Sequence, residues 1–151
     1  MARGGESQYG GEPRFITNED VALLRRHGIS LIRTDGMALF NQEFRDSEWL
    51  LTRPISIAPS ADGRRIAVPI WVIKGGSALL DISGHRQLKR IAVLNVPSRQ
   101  WVYRLDAKSR RLTTLSGLAM SPHGSLLGLI DQNGILQVYR LPGAASSPWS
   151  Q

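Results

Sequence analysis

Hydrophobic positions along this chain fall in short runs: Ile29–Ile32, Met37–Phe40, Ile66–Val68, Ile70–Ile73, Ile91–Val96, Trp101–Leu105, Leu126–Ile130 and Ile135–Leu141. They are rich in β-branched and aromatic residues and too short for independent helices, so they read as strands. Between them stand His27-Gly28, Asp35-Gly36, Asp62-Gly63, His123-Gly124 and Asn133-Gly134. Each pairs a residue tolerant of positive φ with glycine. Asn133-Gly134 is the strongest hairpin signal, because a type I′ turn needs positive φ at both central positions. Pro97-Ser98 marks another turn. "IAV", "LLGLI" and "IAVL" are nearly continuous rather than alternating, the pattern of strands covered on both faces by neighbouring sheets.

The stretch "NEDVALLRRHG" (residues 18–28) admits two readings. Asn18 as N-cap, acids in the first turn, arginines in the last and Gly28 as stop suit a short helix. A turn at Asn18–Asp20 followed by the strand "VALLRR" suits a hairpin into "ISLIRTDG". The strand is preferred because of a repeat. "ISIAPSADGRRIAV" (55–68) and "LAMSPHGSLLGLI" (118–130) share an apolar strand, a Ser/Ala-Pro turn closed by glycine, and a second apolar strand. "KRIAVLNVPSRQWVYRLD" (89–106), "GILQVYRLP" (134–142) and "GISLIRTDGMALFNQ" (28–42) share an Ile-x-x-aliphatic strand. Ile91 and Ile135 then lie about 44 residues apart, the period of a four-stranded blade.

Ser121-Pro122-His123-Gly124 resembles the Ser-Pro-Asp-Gly turn of WD-repeat-like β-propellers, and Pro59 with Asp62-Gly63 resembles a looser version. No Trp-Asp dipeptide closes a strand and no Gly-His opens a blade, so the resemblance is to a generic, bacterial-type propeller rather than to the strict WD family. It implies an all-β fold, a partial β-propeller of four-stranded antiparallel blades over residues 14–142. Three strands are expected at about 14–42, four at about 54–106 and three at about 113–142, between flexible tails at 1–13 and 143–151. Two and a half blades fall short of the four to eight of closed propellers. The expectation is therefore the C-terminal portion of a longer propeller, or closure by self-association. Pro59, Asp62, Gly63, Pro122, Gly124, Asn133 and Gly134 are expected to set the turns.

Composition changes this picture little. An apolar fraction of 42% and a charged fraction of 21% are those of an ordinary globular chain,. No apolar run approaches the roughly 18 residues of a membrane-spanning helix. "MARGGESQYGGEPR" has no apolar stretch after its basic residue, so no signal peptide is expected,. The absence of cysteine excludes disulfides, thiolate catalysis and thiolate zinc sites,. The net charge of +7 invites a nucleic-acid reading,. Yet the cations are scattered as Arg25-Arg26, Arg64-Arg65, Arg86 with Lys89-Arg90, and Lys108 with Arg110-Arg111, each beside an expected turn, where solvated charges are ordinary,. Nucleic acid is accordingly disfavoured as a partner.

Candidate chemistry is sparse. "KGGSALLDISGHRQL" (74–88) reads as an insertion whose basic end, His85, Arg86, Lys89 and Arg90, could contact an anion or an acidic partner,. "KGGS" is not a phosphate loop, because its glycines follow the lysine,. His27, His85 and His123 lack metal-ligand spacing,. No G-x-S-x-G elbow is present,. Glu43, Asp46 and Glu48 alternate with Arg45 as a solvated linker does. Trp49, Trp71 and Trp101 suit blade packing, and Trp149 lies in a polar tail. No metal or cofactor is expected. The expected function is a non-catalytic scaffold or protein-binding module. A fragment of a propeller enzyme whose catalytic residues lie in missing blades is the alternative, and a basic nucleic-acid-binding module the third reading.

Overall fold

A computed structural model describes residues 12–45, 47–50, 56–74 and 85–143. The chain is all-β: among the described residues three antiparallel sheets follow one another in sequence, with a 3-10 turn at Lys108–Arg110. The first sheet is a four-stranded meander of β1 (Glu12–Phe15), β2 (Asp20–Arg25), β3 (Gly28–Arg33) and β4 (Ala38–Glu43). Residues 20–25 are thus a strand, not a helix. The pattern anticipated three strands here. β1, "EPRF", is exposed apart from half-buried Glu12 and has one large apolar side chain, Phe15, too little to make a hydrophobic run, and it is held by its pairing to β2.

The second sheet contains β5 (Glu48–Trp49), β6 (Ala58–Pro59), β7 (Arg65–Lys74), β8 (His85–Asn95) and β9 (Gln100–Asp106). Both β5 and β6 pair with β7, Trp49 opposite Trp71 and Ala58 opposite Ala67, while β8 takes the other edge of β7. They lie along the same edge of β7, and β5 begins ahead of the expected 54. β7 and β8 also run into the expected insertion, pairing Lys74 with His85; residues 75–84 lie outside the described residues. The third sheet is β10 (Leu115–Met120), β11 (Leu126–Asp131) and β12 (Leu136–Arg140).

The second sheet is covered on both faces, as its unbroken apolar runs predict. Ile66, Val68, Ile70, Ala92 and Leu94 pack with Ala22, Leu24, Ile29 and Leu31 of the first sheet. The alternating positions Ala58, Ala67, Ile91 and Val93 pack with Leu127 and Leu129 of the third. Trp49 and Trp71 are buried on that side, and half-buried Trp101 lies against the first-sheet side; Trp149 lies outside the described residues. β10, the first strand of the third sheet, lies against β6 and β7 of the second.

Three turns differ from expectation. At Asn133-Gly134 only Gly134 has positive φ, +80°. Asp131 Oδ1 accepts the N–H groups of Asn133 (2.8 Å) and Ile135 (3.0 Å), which shapes a longer loop than the type I′ pair needs,. His27 and His123 do not have positive φ; the described non-glycine residues that do are Arg99 and Arg111.

Candidate functional site

The turns between the first and second strands of each sheet show how the sheets relate. Ser121 Oγ accepts the N–H groups of Ser125 (3.1 Å) and Leu126 (2.9 Å), and Ser60 Oγ accepts that of Arg65 (3.1 Å). Thr17 Oγ1 accepts those of Glu19 and Asp20 in the first sheet. Gly63 and Gly124, three residues after the serines, have φ of +73° and +76°. These hydroxyls are the shared feature of the three turns, and the sequence comparison passed over them by aligning prolines: Ser60 matches Ser121, so Pro59 matches Met120. The register then matches Ala58 with Ala119, Ala67 with Gly128, Ile91 with Leu136 and Val93 with Val138. Ile135 is therefore one residue off the equivalence its spacing suggested.

Each turn rests on the next. A Cβ on Gly63 would meet Thr17 Cγ2 at 2.3 Å, and one on Gly124 would meet Arg65 Cδ at 2.8 Å. The Asp62 N–H donates to the Pro122 carbonyl at 3.1 Å. Arg65, read from sequence as a solvated charge, is buried. Its Nη1 donates to the Gly124 carbonyl (3.0 Å) and its Nη2 to that of Pro142 (2.8 Å). Burial pushes its guanidinium below the usual value, and Asp62 opposes that,. Asp62 itself is raised by burial, but bonds from the Arg64 N–H, Ser60 and His123 hold its carboxyl low. Asp62, Pro122 and Gly124 thus meet where the second sheet contacts the third, Gly63 lies against the first-sheet turn, half-buried Pro59 on β6 precedes Asp62 and Gly63, and Asn133-Gly134 turns the opposite end of the third sheet.

At that opposite end lies the second feature the pattern missed. Glu48, expected in a solvated linker, is buried on β5. Its Oε2 accepts from Lys89 Nζ and Arg90 Nη1, both at 2.7 Å. The Arg90 bond above all, with Lys89 and the Arg45 N–H, overcomes burial and holds the carboxyl at about 2,. The Glu48 carbonyl accepts from His27 Nδ1 at 2.8 Å, so that nitrogen carries the proton,. Arg26 stacks 4.2 Å over the Trp49 ring,. Lys89 and Arg90 are therefore strand residues committed to a carboxylate rather than members of an open loop. Arg86 is exposed on β8, and His85 begins that strand. Glu43 is exposed and lies 3.6 Å from Arg25; Asp46 is outside the described residues. Among the described residues no group of three His, Asp or Glu could hold a metal ion, and no helix is long and apolar enough to cross a membrane.

The third feature is a bare face. Ala67, Ile91 and Val93 are fully buried beneath the third sheet. Their equivalents, Gly128, Leu136 and Val138, look away from the second sheet, with Leu136 64% and Val138 57% exposed. Ala119, Leu126 and Ile130 are exposed on the same face. β12 is this sheet's edge among the described residues. Leu and Val side chains gain about 1.5–3 kcal/mol each on full burial, so this contiguous set is an exposed apolar patch rather than stray exposure.

No protein-family model and no curated protein sequence matches the chain. Two solved structures of the protein Hsv2 from Kluyveromyces lactis are similar to it at 12% identity. One, with a complete loop 6CD, has a TM-score of 0.40 over 92% of this chain and 49% of that one. The other has a TM-score of 0.30 over 85% of this chain and 48% of that one. The chain thus spans about half the length of the solved chains it matches.

Proposed function

We propose that this protein is a non-catalytic, propeller-type scaffold that binds another protein by adding a sheet to its bare blade face. The observation that carries this reading is positional: Leu136 and Val138 are exposed where Ile91 and Val93, one sheet earlier, are fully buried. Packing one sheet on another is already how this chain builds both of its cores, so the same surface type repeated without a cover is a surface for one. The engagement of Lys89 and Arg90 by Glu48 weighs against anion capture at 85–90.

The test is a photoreactive residue, Val138→p-benzoylphenylalanine, in the protein as produced in cells, with Arg33→p-benzoylphenylalanine as a control away from the face. Light-dependent adducts specific to position 138 and mapped to strand residues of a protein are expected. Equal labelling at both positions, or none at 138, would overturn the reading.

A further inference from the structure

We infer that the cover is the first sheet of a second copy of this chain, placed head to tail, so that two copies of three sheets close a ring of six. The inference rests on the reading that the bare face is an interface. It adds what fills it.

Both internal contacts have one polarity. The face of a sheet that carries Ala22 and Leu24, or Ala58, Ala67, Ile91 and Val93, always meets the opposite face of the sheet that follows. Among the described residues two faces are left over: the bare face of the third sheet, and the face of the first sheet that alternates with Ala22 and Leu24. The second is apolar in the right place. Register places Phe15 opposite Val21 and Val21 opposite Ile32, one row across β1, β2 and β3, with Leu23 next to it. Phe15 is 71% exposed, and Val21, Leu23 and Ile32 are half-buried.

The sizes also match. Where the second sheet meets the third, small residues on its first two strands, Ala58 and Ala67, lie beneath Leu118, Met120, Leu127 and Leu129. The bare face repeats the small residues as Ala119 and Gly128. Phe15, Val21 and Leu23, on the first two strands of the first sheet, supply the large ones. The polar part of that face is paired within itself except at Arg25 Nε, which is buried without a partner: Arg25 Nη2 donates to Ser30 Oγ (3.1 Å) and Asn41 Oδ1 (2.6 Å), and Arg25 Nη1 lies 3.6 Å from Glu43. At the rim, Leu126 stands five residues after its turn serine, as Arg65 does, and would meet the Thr17–Asp20 turn through an apolar contact. Six sheets fall within the four to eight of closed propellers, and a head-to-tail contact that closes gives a discrete oligomer.

Light scattering on a size-exclusion column is expected to give twice the 16.7 kDa chain mass. Val138→Lys and Phe15→Lys, both at exposed positions and checked for unchanged circular dichroism, should each be monomeric. Mixed in equal amounts they should form a dimer, because the first retains an intact first sheet and the second an intact bare face. Leu136→Lys should behave as Val138→Lys does. A monomeric wild type would overturn the inference, and adducts at position 138 to a different protein would then leave the scaffold reading standing. A Phe15→Lys variant that stays dimeric would mean the bare face packs on itself, which also overturns it, as would a mass that climbs continuously with concentration.

Discussion

Glu48→Gln is the sharpest probe of the energetics. The carboxylate is held by Arg90 and Lys89, each at 2.7 Å from Oε2, and its pKa falls from an ordinary 4.5 to about 2. At 1.4 kcal/mol per tenfold change in proton affinity, that corresponds to about 3 kcal/mol of native-state stabilisation. The sign follows from the direction of the shift. A depressed carboxyl contributes fully above the unfolded-state value near 4.5 and loses its contribution as pH falls toward 2,. Glutamine keeps the shape but not the charge. It leaves Arg90 facing a neutral amide, while Lys89, with a side chain 40% exposed, turns to water,. Urea unfolding at pH 7 should show the variant less stable by about 3 kcal/mol. Repeated down to pH 2, the two stability curves should converge, because the wild type loses what the variant never had. Asp62 and Asp131 titrate in both proteins and cancel in the difference. Parallel curves from pH 7 to pH 2 would refute the assignment of a stabilising charge to Glu48.

Other substitutions separate the contacts between sheets from the turns. Arg65→Met should cost about 2–4 kcal/mol in chemical unfolding, since it leaves the carbonyls of Gly124 and Pro142 without their buried donor,. Arg65→Lys should not restore this, because one ammonium cannot reproduce the two-pronged geometry. Gly134→Ala should cost about 1 kcal/mol, having positive φ but open space around its Cβ,. Gly63→Ala has the same φ problem and a 2.3 Å clash with Thr17, so its melting temperature should fall further; equal losses would refute the packing of one turn on the next. Ser121→Ala removes the acceptor of two N–H groups and should cost about 1–2 kcal/mol by the same unfolding assay,.

What the sequence made legible was whatever depends on local pattern. Turn glycines, strand runs and the rhythm of the sheets all follow from φ preferences and hydrophobic spacing, which act over a few residues. β1 was invisible because a four-residue strand with one large apolar side chain, held by an edge pairing, makes no hydrophobic run. Arg65 and Glu48 were misread for a related reason. Charge beside a turn predicts solvent only when nothing distant covers it, and here the partners are 59 and 77 residues from Arg65, and 41 and 42 from Glu48. The spacing of Ile91 and Ile135 suggested an equivalence that the register corrects by one position to Leu136. One position in a strand is a change of face, and the correction is what turns an ordinary exposed isoleucine into an uncovered set of core positions.

"RIAVPI" on β7 and "LLGLID" on β11 are both mostly apolar on both faces, yet Arg65–Ile70 are buried throughout while Leu126 and Ile130 are exposed. A strand with apolar side chains on both faces encodes two neighbours. β7 has both, the first sheet and the third; β11 has one, the second. The unmet half of that requirement lies on residues whose equivalents form a core, beside alanine and glycine on its first strands and leucine and valine on its last. Solvation alone would have tolerated polar side chains at all of these positions, as it does at Arg25, Ser30 and Asn41 on the first sheet. Apart from Arg140 at its rim, opposite Leu126, the bare face therefore has the composition of an interior, and the first sheet of a second copy carries side chains of the size that interior lacks.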